Sequence, residues 1–496
     1  MAGTRLTPDD LLNLQQVSDA RLHPDGNRIA YTVSAVVTEA KASKAVSRIW
    51  LTTVGGSDPR PLTSDGTRAG SPSWSPDGAT LAFLGSRQEE GKDQLFLLNE
   101  WGEAQQATDC GGGVVGHTWL PDSSGLLLLV TDAPPDDEED EHEAGRDWVV
   151  YEHDHRFTRV WRYDLASEEL EQVSYADAQV YELAVAPGSH EIVALVADEP
   201  YNWSWYQARL ARLLPDGTFE TLHASKKQYT CPAFSPDGTQ LAVITCTFSD
   251  QGMTGGDVLL LDRAGANPRL LTEGHPRSYL NVEWDTDGSR LLCAAIEDGE
   301  TQLGWLGLDG RFEAFWQDRS AIHFSNTIVS RGGDGNRLVI SRGAVTEPVD
   351  VYSLGADGQS PTRHSDHNAA LREWRIAPAE TLHWRSADGT TIQGLLIRPA
   401  DAGSGPAPLV TLIHGGPTSL WSYMFTGVRS TAWAQLLAAE GYAVLLPNPR
   451  GSMGWGTAFA EANIGDMGGA DWGDIMAGVD YCVAEGIADP DRLGVG

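Results

Sequence analysis

Three apolar runs near the end of this 496-residue chain lead into polar turns, and the turns hold the side chains best suited to chemistry. Residues 408–414 run into His414-Gly415-Gly416-Pro417, and residues 442–446 run into Asn448-Pro449-Arg450-Gly451. A third run begins at Arg492 and reaches Gly496. Turns that follow strands gather polar groups at one edge of a sheet, where a ligand can meet them. His414 sits inside a glycine turn and reads as a structural loop histidine rather than a proton carrier. Arg450 carries a planar guanidinium that pairs with a substrate carboxylate or ties loops together. A serine nucleophile on a sharp turn needs Gly-x-Ser-x-Gly. That pattern is absent from the 496 residues, and Gly451-Ser452-Met453-Gly454 has the wrong spacing. A second concentration of titratable groups, from Asp147 through Glu152 and His153 to Arg156, follows an acidic stretch between Val130 and Trp148. Such a charge run reads as a solvated loop, with the guarding of an entrance as the alternative.

The elements that hold these turns fall into two patterns. From about Glu380 strands alternate with helices. Residues 381–384 and 391–398 form a hairpin around Asp388-Gly389, and residues 432–440 form a helix that ends at Gly441, a natural C-cap. Residues 471–485 form a second helix with Ile475, Val479 and Cys482 on one face, and Ala488-Asp489-Pro490 turns the chain into the last strand. Before Glu380 one turn recurs: His23-Pro24-Asp25-Gly26, Ser75-Pro76-Asp77-Gly78, Leu120-Pro121-Asp122-Ser123, Ala186-Pro187-Gly188, Ser235-Pro236-Asp237-Gly238, Asp285-Thr286-Asp287-Gly288 and Gly333-Asp334-Gly335-Asn336. Each is followed by a short apolar run, as a tight β-hairpin requires. A second strand pair lies between successive hairpins. The spacing of roughly 45–65 residues is that of propeller blades. The expectation is a seven-bladed β-propeller over residues 21–370, preferred to two stacked sandwiches because period and turn are constant. Residues 1–20 are expected to hold a helix capped at Thr7-Pro8 that packs on a C-terminal domain at 371–496.

Composition narrows the partners. A net charge of −34 argues against nucleic acid and against anionic membrane surfaces. No stretch approaches a membrane span, and the first residues carry no apolar signal-peptide core. Five cysteines without metal spacing, Cys110, Cys231, Cys246, Cys293 and Cys482, suggest reduced thiols and a cytoplasmic setting. Assembly into a homo-oligomer is left open.

A propeller followed by His414-Gly415-Gly416-Pro417, Asn448-Pro449-Arg450-Gly451-Ser452, Gly465-Asp466-Met467-Gly468-Gly469 with Asp471 and Asp474, and Asp489-Pro490-Asp491-Arg492-Leu493-Gly494-Val495 resembles the prolyl-oligopeptidase family of serine peptidases, most of all its acylaminoacyl-peptidase branch. The resemblance covers essentially the whole chain. It implies a β-propeller plus the N-terminal half of an α/β-hydrolase domain. It also implies serine, histidine and aspartate acting on short peptides with no cofactor and no metal, the propeller gating access. None of that triad lies within residues 1–496. The elbow serine is expected just after the Leu493-Gly494-Val495 strand, so the sequence reads as a fragment that is inactive alone. The resemblance makes the Gly416 N–H an oxyanion donor. Two other readings are carried. A dipeptidyl aminopeptidase of the same family would hold the substrate amine with paired glutamates in a segment like 147–152. Here Glu152 is followed by His153, which departs from that pattern and leaves both as candidate substrate-binding residues beside Arg450. A non-catalytic propeller binding module is the third.

Overall fold

The computed structural model describes residues 4–35, 46–56, 58–64, 68–88, 91–99, 103–134, 155–322, 329–333, 335–399, 405–425 and 432–496. The recurring turn is built one way at five of its sites. The N–H of Gly26, Gly78, Gly238, Gly288 and Gly335 donates to the carbonyl three residues back at 2.8–2.9 Å, with φ between +67° and +74°. That φ favours glycine, which has no Cβ to crowd the carbonyl. The aspartate before the glycine closes the turn: Asp25, Asp77, Asp237 and Asp287 accept the N–H two residues on at 2.8–3.0 Å. In the turn at Leu120 the glycine is replaced by Ser123, φ +62°, whose hydroxyl accepts the Asp77 N–H at 3.1 Å.

Each turn joins the first two strands of an antiparallel unit. Residues 15–106 form one eight-stranded sheet, in which a single parallel pairing, Ser47 with Arg68, joins two antiparallel halves. Four-stranded antiparallel sheets follow over residues 114–172, 179–223, 228–270 and 278–318, and a five-stranded sheet lies between residues 321 and 363. Apolar side chains knit each sheet to the next. Leu84 and Leu95 meet Leu126 and Leu128; Leu127 and Val160 meet Val180, Ala194 and Val196; Val193 and Leu195 meet Val243 and Leu259. Farther round, Ala295 and Leu306 pack with Ile244 and Val258, and Leu292 and Leu303 pack with Leu338 and Ile340. The packing then returns to its start, because Val17, Leu22, Ile29 and Tyr31 of the first sheet pack with Val339 and Val351 of the last. This closed circuit of sheets is a β-propeller.

The C-terminal region is a different layer structure. Its five strands are ordered Ala379–Arg385, Thr391–Ile397, Ala443–Asn448, Ala407–Thr411 and Ala488–Val495. The first two pairings are antiparallel and the last two parallel. Alternate residues face opposite ways. Leu395, Ile397, Val444 and Leu446 pack with Ala434 and Ala438 of the Ala432–Ala439 helix. Ile392, Leu396, Ala443 and Leu445 pack with Val479 and Cys482 of the Ala470–Ala484 helix. Helices on both faces of such a sheet make an α/β layer.

The last strand differs from expectation. It starts at Ala488, paired with Ala407, and not at Arg492. Between Ala488 and Leu493 the register shifts, because Pro490 has no N–H to give the ladder and Asp489 Oδ1 accepts the Asp491 N–H at 3.0 Å. At the other end of the chain, Thr7 caps the short Pro8–Leu12 helix in a reciprocal pairing with Asp10. Leu6, Leu11 and Leu14 pack with Leu371 and Phe425.

Candidate active site

The His414-Gly415-Gly416-Pro417 turn leaves the Ala407–Thr411 strand between its two parallel neighbours. The Leu412 N–H donates to Leu445 O at 2.9 Å, and the Ile413 N–H donates to Gly496 O at 3.0 Å. The end of the Ala488–Val495 strand therefore lies alongside the start of the turn. Gly416 has φ +129°, and a Cβ there would sit 2.7 Å from Thr418 N. Only glycine fits such a position. Among the described residues no acceptor takes the Gly415 or Gly416 N–H.

The turn is held on three sides. Asn448, fully buried, accepts the Trp421 N–H at 2.7 Å and donates to Trp421 O at 2.9 Å and to Gln393 Oε1 at 2.6 Å. The Trp421 indole N–H donates to Leu412 O at 2.9 Å, which folds the segment after Pro417 back on its own strand. On the propeller side the Thr418 N–H donates to Ser249 Oγ at 3.0 Å.

His414 bridges two loops. Its Nε2 lies 3.0 Å from Ser452 Oγ, and Ser452, fully buried, donates to Pro449 O at 2.6 Å. Burial lowers the His414 pKa, so the ring is held neutral. Ser452, closed off from solvent and committed to a carbonyl, is not poised as a nucleophile.

Arg450, a candidate for binding substrate, is directed elsewhere. Its Nε and Nη2 donate to Asp474 at 2.9 and 2.7 Å, its Nη1 donates to Asp388 at 2.5 Å, and Nη2 also donates to Ser386 Oγ at 3.2 Å. The hydrogen bonds to Asp474 raise the Arg450 pKa further. The guanidinium ties the turn after Asn448 to the hairpin and the helix, and the substrate role is withdrawn. Its partner Asp474 was visible in the sequence only as part of a motif. Glu152 and His153 lie outside the described residues. His155 Nδ1 is 3.2 Å from the Tyr201 hydroxyl, and the Tyr201 ring stacks with the exposed Trp203. Asn448 and Ser249 were not assigned roles from the sequence. The polar Asn448 at the end of a fully buried strand was the available signal for the first, and none existed for the second.

The prolyl oligopeptidase family pattern matches residues 429–496, which carry the arginine turn, the Asp474 helix and the last strand. Along nearly the whole length, 99% of the chain is 27% identical to the uncharacterized peptidase YuxL of Bacillus subtilis, covering 78% of that protein. The matched pattern and this relative support a serine peptidase of the prolyl oligopeptidase family. The likeness supports a hydrolase, a serine peptidase. A second relative, dipeptidyl-peptidase 5 of Porphyromonas endodontalis, is 25% identical over 99% of the chain and 74% of its own length. The acylaminoacyl peptidase of Pyrococcus horikoshii shares the fold, with a TM-score of 0.74 at 19% identity over 97% of this chain and 73% of that one. Among the described residues no helix is long and apolar enough to cross a membrane.

Proposed function

We propose that this protein is an oligopeptidase of acylaminoacyl type, in which the propeller covers the active site and admits short peptides. Counting the eight-stranded sheet as two blades gives seven blades that begin with the Gln15–Leu22 strand rather than at residue 21 and run to about residue 370, with the Pro8–Leu12 helix and residues 371–496 assigned to the hydrolase side. In this reading the nucleophilic serine rides on the turn that leaves the Ala488–Val495 strand, and the Gly416 N–H stabilises the oxyanion. The observation that carries it is the hydrogen bond from Ile413 N–H to Gly496 O, three residues from a glycine N–H with no acceptor among the described residues. A serine attacks the peptide carbonyl, a histidine takes its proton, and the carbonyl oxygen becomes an anion that a fixed N–H stabilises. The test is Gly416→Val in the full-length enzyme. Turnover is expected to fall roughly ten- to a thousandfold, the range for losing one such donor, with KM much less affected. Unchanged turnover in a folded variant makes Gly416 a turn residue only.

A second reading, removal of dipeptides from a free amino terminus, is favoured by the name of the Porphyromonas relative. The ratio of rates on blocked and free-amine peptides separates the two. A preference for free amines that collapses in Glu152→Gln supports the dipeptidase reading. The free thiols at Cys110, Cys231, Cys246, Cys293 and Cys482 support a reducing, cytoplasmic setting.

A further inference from the structure

The hydrolase turn is completed by a residue of the propeller. Ser249 lies in the connection between the Gln240–Cys246 and Asp257–Asp262 strands, and its hydroxyl accepts the Thr418 N–H at 3.0 Å. The same oxygen would lie 3.2 Å from a Cβ on Gly416, so it rests directly against that glycine. Thr418 is buried, and its own hydroxyl donates to Thr247 O at 3.3 Å. The propeller segment that presents Ser249 is itself fixed. The Phe248 N–H donates to Gln228 Oε1 at 2.9 Å, and the Phe248 ring packs with Trp205 inside the propeller core. The Tyr206 hydroxyl donates to Ser249 O at 2.6 Å.

We propose that Ser249 is a positioning residue for catalysis: the propeller fixes the Gly415–Thr418 turn through it, so the oxyanion donor is in place only when propeller and hydrolase are in contact. The proposal rests on the oxyanion reading of Gly416. Two adjacent glycines have wide conformational freedom, and hydrogen bonding just beyond them removes it. Without Ser249 the Thr418 N–H loses its acceptor at a buried position, and the turn must shift to find water. An oxyanion donor works through preorganisation, so a small displacement lowers turnover while leaving substrate binding nearly intact.

The experiment measures Ser249→Ala, Ser249→Thr and Gly416→Val in the full-length enzyme. Each is assayed for kcat, KM and affinity for a peptide boronate that mimics the tetrahedral intermediate, with thermal midpoints as a folding control. Ser249→Ala is expected to lower kcat roughly ten- to a hundredfold with little change in KM. Boronate affinity should fall in step, and Ser249→Thr, which keeps the hydroxyl, should restore most of both. A folded Ser249→Ala enzyme with the parent kcat, beside a depressed Gly416→Val, overturns the role of Ser249 and leaves the oxyanion reading standing. Parent kcat in both variants removes the oxyanion reading and this inference with it. A loss of kcat without loss of boronate affinity also overturns the proposal. Should Ser249→Ala not fold, Tyr206→Phe frees the Ser249 carbonyl without emptying the site; a lowered kcat with parallel loss of boronate affinity supports the coupling, and parent values overturn it.

Discussion

At the scale of single residues the Arg450–Asp474 pair has a clear energetic signature. Asp474 is fully buried and the Arg450 side chain is 14% exposed, whereas Asp388, the other carboxylate on the same guanidinium, is 50% exposed. Breaking a buried pair strands its remaining charge and costs about 3 kcal/mol, while an exposed pair is worth about 1 kcal/mol or less. Arg450→Met is therefore expected to lower the urea midpoint far more than Asp388→Ala. Equal effects would mean that Asp474 finds another partner. Gly416 was legible in the sequence, because adjacent glycines after an apolar strand announce a tight turn. The partners of the turn were not. Asn448 lies 27 residues from Trp421 and Ser249 lies 169 from Thr418, and local pattern carries no information about which distant residues meet.

At the scale of elements the recurring turn offers an internal comparison. Gly78 and Gly238 have nearly the same φ, but a Cβ on Gly78 would lie 2.6 Å from the His23 ring, while one on Gly238 has only Pro187 O at 3.7 Å nearby. Gly238→Ala should cost about 1 kcal/mol from backbone strain alone, and Gly78→Ala more, as read by thermal unfolding. The carboxylates of these turns are held below the usual range, Asp77 by the Ser75 hydroxyl and Asp237 by the Ser235 hydroxyl. A lowered folded pKa gives stability that is present above the unfolded value and lost as pH falls through the folded one. Asp237→Asn should thus flatten the fall in thermal midpoint below about pH 4. The hairpins were legible because Pro-Asp-Gly fixes backbone angles locally. The early start of the last strand was not, because Ala488 joins the sheet through a distant partner, Ala407, across an irregularity.

At the scale of the molecule, side chains from several sheets converge inside the propeller. His117 Nε2 is 2.7 Å from Ser73 Oγ, and Arg331 donates to Glu283 and Asp285. Burial, with Arg21 nearby, lowers the His117 pKa from 6.5 to about 4. The unfolded chain then binds a proton that the folded one refuses between those values. Stability is complete above pH 6.5 and declines toward pH 4, by an amount on the order of 3 kcal/mol. His117→Gln should remove that decline from the profile of thermal midpoint against pH, and an unaltered profile would assign it to other groups. The closed circuit of sheets has a further consequence, for synthesis. Most sheet contacts join segments close in sequence and can form as the ribosome delivers them. The contact of Val17 with Val351 cannot, nor can that of Leu14 with Phe425. At about 5–20 residues per second, Leu14 and Val17 wait roughly 20–80 s for these partners. Val17 and Leu14 reach their place only when those later segments arrive, and the nascent propeller is an open ring with an unshielded apolar edge throughout that interval.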